Sequence, residues 1–192
     1  MNYIGDALLT GCIRREGKAQ QQLYDNCYPF LMRICIRYVN NQSDAEELFS
    51  MGFLKILSNI EKYKKEIPFV FWIRRIMINT IITEHHKNKK RKEIIEHVDF
   101  TDHYEEYDPA VIHDYVQKMD AEQIYYLIMQ LPPVSRQVFN LFAIDGFTHK
   151  EIAAMLNMSE GTSKWHVNFA RNKLKEMLSD ASETFKIKFK VS

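Results

Sequence analysis

Apolar residues recur along this chain at three- and four-residue spacing and rarely alternate, so the pattern predicts an all-α fold. Leu23, Cys27, Leu31, Ile34 and Tyr38 form one stripe, in a segment that Pro29 is expected to kink or restart. Ser43-Asp44-Ala45-Glu46 has the form of a capping box and predicts a helix start. Leu48, Phe49, Phe53, Ile56, Leu57 and Ile60 then continue one apolar face over about five turns. Further on, Pro68 suits a first helical turn, and Phe69, Trp72, Ile73 and Ile76 supply the core face of the helix it opens.

A second group of periodic segments begins with Ile124, Leu127, Ile128 and Leu131 and stops at Pro132-Pro133. Val138, Phe139, Leu141 and Phe142 make the next apolar side, which Gly146 is placed to end. Thr148-His149-Lys150-Glu151 repeats the capping-box pattern, with Ile152, Ala153 and Leu156 inward over about two turns. Ser159 caps the last and longest segment, where Ser163, Val167, Ala170, Leu174 and Met177 point inward and Lys164, Asn168, Arg171 and Lys175 line the opposite side. A short helix, a tight turn and a longer helix with a basic outer face make a helix-turn-helix.

The composition agrees with a globular chain: 46% of the 192 residues are hydrophobic and 27% charged. Six glycines are too few for turn-rich β architecture or glycine-rich phosphate loops, which excludes the common nucleotide-binding enzymes. The apolar stretch Ile67 to Ile73 is cut by Arg74 and Arg75, far short of a membrane span. Asp6 and the lack of an early basic run argue against a secretory signal, so a cytoplasmic protein without membrane insertion is expected. Cys12, Cys27 and Cys35 lack zinc-knuckle or redox spacing and read as reduced, structural thiols.

Charge is unevenly distributed. Residues 1–92 hold 16 Lys plus Arg against 9 Asp plus Glu, residues 93–123 hold 1 against 10, and residues 124–192 hold 9 against 6. Two basic ends therefore flank an acidic middle. The run Lys87, Lys89, Lys90, Arg91 and Lys92 suits neutralising successive phosphates. The stretch from Glu93 to Asp108 has too few aliphatic residues for a core and reads as a linker. The expected organisation is an N-terminal domain at 1–92, an acidic flexible linker at 93–120 and a C-terminal domain at 121–192.

Two constellations carry chemistry. Arg75, Asn79 and Thr83 fall at i, i+4 and i+8, with Arg74, His86 and Lys87 nearby, in a segment otherwise crowded with isoleucine. Asn and Thr are poor choices for a merely solvated helix interior, so the seam reads as a binding surface. In the last helix Glu160, Gly161 and Thr162 follow the Ser159 cap, where free amides can meet a phosphate. Glu160 is suited to accept from cytosine and Asn168 to pair with adenine, with Lys164, Arg171 and Lys175 holding register. Trp165 and Phe169 form an i, i+4 pair that either packs on the preceding helix or contacts DNA.

Asp44-Ala45-Glu46-Glu47, Phe53-Leu54-Lys55-Ile56-Leu57, Trp72-Ile73 and Asn79 resemble region 2 of a bacterial sigma factor. Leu131-Pro132, Arg136-Gln137-Val138-Phe139, Glu151-Ile152-Ala153, Glu160-Gly161-Thr162 and Ala170-Arg171 are similar to region 4 of the extracytoplasmic-function group. The resemblance spans about residues 20 to 178, with two motif sets in the family's order. It implies a non-catalytic initiation subunit without a cofactor, whose partners are core RNA polymerase through its clamp helices and flap, promoter DNA and an anti-sigma factor. It further implies polymerase binding at Asp44, Glu46, Glu47, Ser50 and Met51. Ser50-Met51 stands where relatives usually carry Gln and an acidic residue. Minus-10 contacts are implied at Tyr63, Phe69, Arg74, Arg75, Asn79, Thr83, His86 and Lys87, with Tyr63 to Phe69 shaping a pocket for a flipped base. Minus-35 contacts are implied at Ser159, Glu160, Gly161, Thr162, Lys164, Trp165, Asn168, Arg171 and Lys175, in a helix where Trp165, His166 and Phe169 replace the usual small or basic residues.

Two other readings make different demands. A free-standing helix-turn-helix regulator would bind a palindromic duplex without polymerase. A metal-dependent hydrolase would have to draw on His85, His86, His97, His103, Asp99, Asp102 and Glu105, which lack a His-Glu-x-x-His helix to fix geometry.

Overall fold

A computed structural model of the chain describes the backbone of residues 4–92 and 121–189, and the chain falls into two compact units, Met1–Glu96 and His97–Ser192. All regular elements among the described residues are helical. The expected linker, 93–120, lies outside the described residues.

The first unit contains α1 (Asp6–Ile13), α2 (Gly17–Ile36), α3 (Gln42–Asn59), a 3-10 turn (Ile60–Lys62) and α4 (Phe69–Lys92). Its core is the predicted stripe: Leu23, Cys27, Leu31 and Ile34 of α2 meet Leu48, Phe49, Phe53 and Ile56 of α3, all buried. Tyr24, Tyr28, Phe49 and Phe53 interlock as a ring cluster, with Tyr24 edge-on to both phenylalanines at 5.1 and 5.3 Å between centroids. Ile73, Met77, Ile78, Ile81 and Ile82 bring α4 onto this core. Burying a side chain of this size contributes roughly 1.5–3 kcal/mol, so each such helix is held by packing more than by propensity.

Four local details differ from the sequence pattern. α3 starts at Gln42, because Asn41 is the cap: its Oδ1 accepts from the Asp44 amide at 2.8 Å, which leaves Ser43 inside the first turn. Asn caps at least as well as Ser, and Asp44 returns an acceptor to Asn41 Nδ2 at 2.9 Å. Pro68 precedes α4, its carbonyl accepting from the amides of Phe71 and Trp72. α2 runs unbroken through Pro29, whose ring is exposed. The short α1, which the periodicity did not signal, buries Leu9 and Cys12.

Cys12, Cys27 and Cys35 are free and buried, and burial pushes the Cys27 and Cys35 thiols up to about 12. They pack as small apolar groups.

The second unit contains α5 (Ala121–Met129), α6 (Pro133–Phe139), a π turn (Asn140–Ile144), α7 (His149–Leu156) and α8 (Glu160–Phe189). Pro132 stops α5 and opens α6, as its lack of an amide proton requires. Ile128, Leu131, Val138, Leu141, Ile152, Val167, Ala170 and Leu178 form the core. Gly146 ends the π turn at φ +77°, a conformation that favours glycine. Thr148 and Glu151 make the predicted reciprocal cap of α7, with the Glu151 amide donating to Thr148 Oγ1 at 3.2 Å and the Thr148 amide to Glu151 Oε2 at 2.9 Å. Asn157, left-handed at φ 54°, then turns the chain into α8.

Candidate nucleic-acid interfaces

The turn into α8 is locked by its own polar residues: Ser159 Oγ accepts from the Thr162 amide at 2.9 Å and lies 2.8 Å from Thr162 Oγ1. Ser159, Glu160, Gly161 and Thr162 are all exposed at the helix start. Ser163, Val167 and Ala170 bury the opposite stripe, which turns Lys164, Asn168 and Arg171 outward. Lys175, one turn further on, is half-buried. The outer side of α8 is thus a continuous polar face, suited to enter a groove with its N-terminus near base edges.

Trp165 and Phe169 stack on each other at 5.3 Å and 18°, both half-buried. His166 turns inward, 7% exposed, with Nδ1 2.9 Å from the Oγ of buried Ser135 on α6. Its placement is a packing one, and the lack of a basic residue there follows from its direction. Burial pulls its imidazole below the ordinary value.

On α4, Arg75, Asn79 and Thr83 form one exposed line, as their spacing requires. Thr83 Oγ1 donates to the Asn79 backbone carbonyl at 2.7 Å, and Asn79 is exposed between Arg75 and Thr83. Lys87 extends the line, paired with Glu84 at 2.7 Å, while Arg74 and His86 are half-buried beside it. At the start of α4, Tyr63 lies edge-on to Phe69 at 5.1 Å and 5.2 Å from Trp72, and its hydroxyl donates to the Ile67 carbonyl at 2.8 Å. Phe69 is 8% exposed, as its place on the core face of α4 predicts, and its ring backs those of Tyr63 and Trp72. Phe71, 56% exposed, is the open aromatic of this turn. It falls off the apolar stripe of α4, which is the signal that marks it.

The acidic start of α3 is exposed at Asp44, Glu46 and Glu47. Asp44 is engaged by its cap, and Glu46 Oε1 accepts from Gln42 Nε2 at 2.8 Å. Ser50 is exposed with its hydroxyl on the Glu46 carbonyl at 2.8 Å, and Met51 is half-buried. Leu54, seven residues after Glu47 on the same side, is 63% exposed. Like Phe71 it lies off its helix's inward stripe.

Among the described residues no group of three or more His, Cys, Asp or Glu is arranged to hold a metal, and no helix is long and apolar enough to cross a membrane.

The described residues thus present two exposed polar surfaces, one seam on α4 beside an aromatic turn and one on the outer side of a helix-turn-helix. The family model described as Sigma-70 region 2 matches residues 23–91, and that described as Sigma-70, region 4 matches residues 121–174. The chain is 30% identical over 159 residues to the RNA polymerase sigma factor SigZ of Bacillus subtilis (strain 168), covering 82% of this chain and 86% of that protein. It is 27% identical over 157 residues to the ECF RNA polymerase sigma factor SigW of the same organism, covering 78% and 83%. Among solved structures, the sigma factor RpoE of Bartonella quintana, in complex with the anti-sigma factor NepR, shares the fold at a TM-score of 0.50 and 20% identity, over 83% of this chain and 96% of that one. The chain belongs to the sigma-70 family of RNA polymerase sigma factors, in the extracytoplasmic-function group.

Proposed function

We propose that this sigma factor joins core RNA polymerase through the exposed start of α3, captures the minus-10 element on the α4 seam and reads the minus-35 element with α8. The observation that carries this reading is the exposed line Arg75, Asn79 and Thr83 beside the rings of Tyr63 and Trp72, in a unit separate from the helix-turn-helix. An extruded base needs a stacking surface and polar groups for its edge, and a seam of Asn and Thr beside aromatic rings supplies both.

On α3, Glu47, Ser50 and Leu54 combine a charge, a hydroxyl and an open apolar side chain on one side, a surface suited to another protein's helices. In this reading residues 1–92 and 121–192 are two reading heads, and the acidic segment 93–120 joins them. Elements about 17 base pairs apart lie roughly 58 Å apart along the duplex, and about 30 extended residues reach roughly 100 Å. The protein performs no catalysis itself, works in the cytoplasm where polymerase and promoter meet, and is held inactive by an anti-sigma factor that covers part of the same surfaces.

The test is co-elution with core RNA polymerase, followed by run-off transcription from genomic fragments that core alone ignores. Association with new transcripts is the expected result. A folded, inhibitor-free protein that binds a palindromic duplex tightly by itself and neither associates nor transcribes is instead a free-standing regulator.

A further inference from the structure

Phe142 sits in the π turn, outside the recognition helix, yet two side chains from other elements meet on its ring. The His149 imidazole, from the first turn of α7, stacks on it at 4.4 Å and 15°. The Arg171 guanidinium carbon, from the outer face of α8, lies 5.8 Å from its centroid. His149 Nδ1 is in turn 3.0 Å from the Oγ of Ser163, fully buried in α8. Three elements thus converge on one aromatic ring.

A π turn takes one more residue than an α turn, so it resets which side chains face outward after it. Here it leaves Phe142 half-buried, with its ring available to Arg171. A guanidinium over a ring is attracted by the ring's quadrupole, and a side chain already held in place loses less freedom when it binds. Burial first, and then the charges of Lys164 and Arg171, pull the His149 imidazole below its ordinary value against the opposing effect of Glu160. A neutral imidazole adds no second cation beneath Arg171.

We propose that Phe142, braced by His149, is a positioning residue for Arg171, so that duplex recognition depends on a ring outside the recognition helix. The proposal rests on the assignment of α8 to the minus-35 element.

The experiment uses the full chain assembled with core polymerase and a promoter fragment recovered in the run-off assay. Arg171→Lys keeps the charge and loses the planar fork, so promoter capture is expected to fall about 5-fold or more. Phe142→Leu is expected to fall about as far, Phe142→Tyr to retain capture, and Phe142→Leu combined with Arg171→Lys to fall no further than the worse single variant. Core association should hold in all four. Wild-type capture by Arg171→Lys, or losses that multiply in the double variant, would overturn the proposal.

Should Phe142→Leu fail to fold, the wild-type chain compared with Arg171→Lys still decides. The Arg171 Nε–H proton, identified by its disappearance in Arg171→Lys, must resonate upfield of an unstacked arginine. An unshifted resonance overturns the positioning role. A wild-type protein that neither binds core nor transcribes overturns the sigma-factor reading instead, an outcome distinct from either of these.

Discussion

The Oγ of Ser135 and Nδ1 of His166 lie 2.9 Å apart with both residues buried, a side-chain hydrogen bond that pins α6 to the back of the recognition helix. Replacing either partner alone removes this bond from a buried site, at a cost of about 1–3 kcal/mol.

This pair gives the fold a pH dependence. The folded imidazole of His166 titrates below its ordinary value of 6.5 because burial disfavours the cation. Above pH 6.5 both states are neutral and nothing is lost. As pH falls through 6.5 toward the folded value, the unfolded chain gains a proton that the folded chain does not, so stability falls. The thermal midpoint by circular dichroism should therefore drop between pH 7.5 and 5.5, and drop less in His166→Gln. A shift of about 1 kcal/mol corresponds to about 4–8 °C in a unit of this size. Equal slopes would place the titration elsewhere, with His149, lowered in the same direction, the next group to replace.

The cap of α7 offers a second measurement. Thr148→Ala removes the acceptor of the Glu151 amide and one half of a reciprocal pair, at a cost of about 1 kcal/mol. α7 amides should lose hydrogen-exchange protection before those of α8, and promoter capture by holoenzyme should weaken with them. Unchanged protection would mean that tertiary packing alone fixes the start of α7.

Close contact between α3 and α4 is the third. A Cβ built on Gly52 would lie 2.5 Å from Sδ and Cε of Met77, which is itself fully buried. Gly52→Val gains little helix propensity and overpacks this contact, so it should destabilise the protein by about 1–3 kcal/mol in urea unfolding. Combining it with Met77→Ala should recover part of the loss, and no recovery would show that the strain lies in the backbone.

Polymerase association is expected to separate from stability at α3. Leu54→Lys replaces a side chain that is 63% exposed and should shift stability by no more than about 0.5 kcal/mol. It should nevertheless weaken core pull-down at least tenfold, and Glu46 and Glu47 replaced together by Lys should abolish it. Intact pull-down by both variants would move the contact off α3.

Asn79→Ala should impair strand opening more than promoter binding. Permanganate footprinting of holoenzyme on its promoter would show a reduced melted region at near-normal occupancy. Normal reactivity would remove Asn79 from the base pocket.

Much of this architecture is legible in the linear pattern. The stripes from Leu23 to Ile34 and from Leu48 to Ile56 are the buried ones, because a three- and four-residue period leaves a helix one inward face. Thr148 and Glu151 cap α7 as their spacing requires, and Arg75, Asn79 and Thr83 share a face for the same geometric reason. The cap of α3 is Asn41 and not the Ser43 that the capping-box pattern predicts, because Asn41 Oδ1 is the acceptor that meets the Asp44 amide. Local pattern therefore determined the helices other than α1, their order, and the polar faces of α4 and α8.

What each remaining side chain touches was decided only in three dimensions. His166 is inward because Ser135 waits on another helix 31 residues away. Phe142, His149 and Arg171 belong to three elements with no shared period, and the first of them sits in a π turn. Periodicity reports which way a residue points from its own helix axis. The partner it meets depends on how the axes cross, which non-local packing sets.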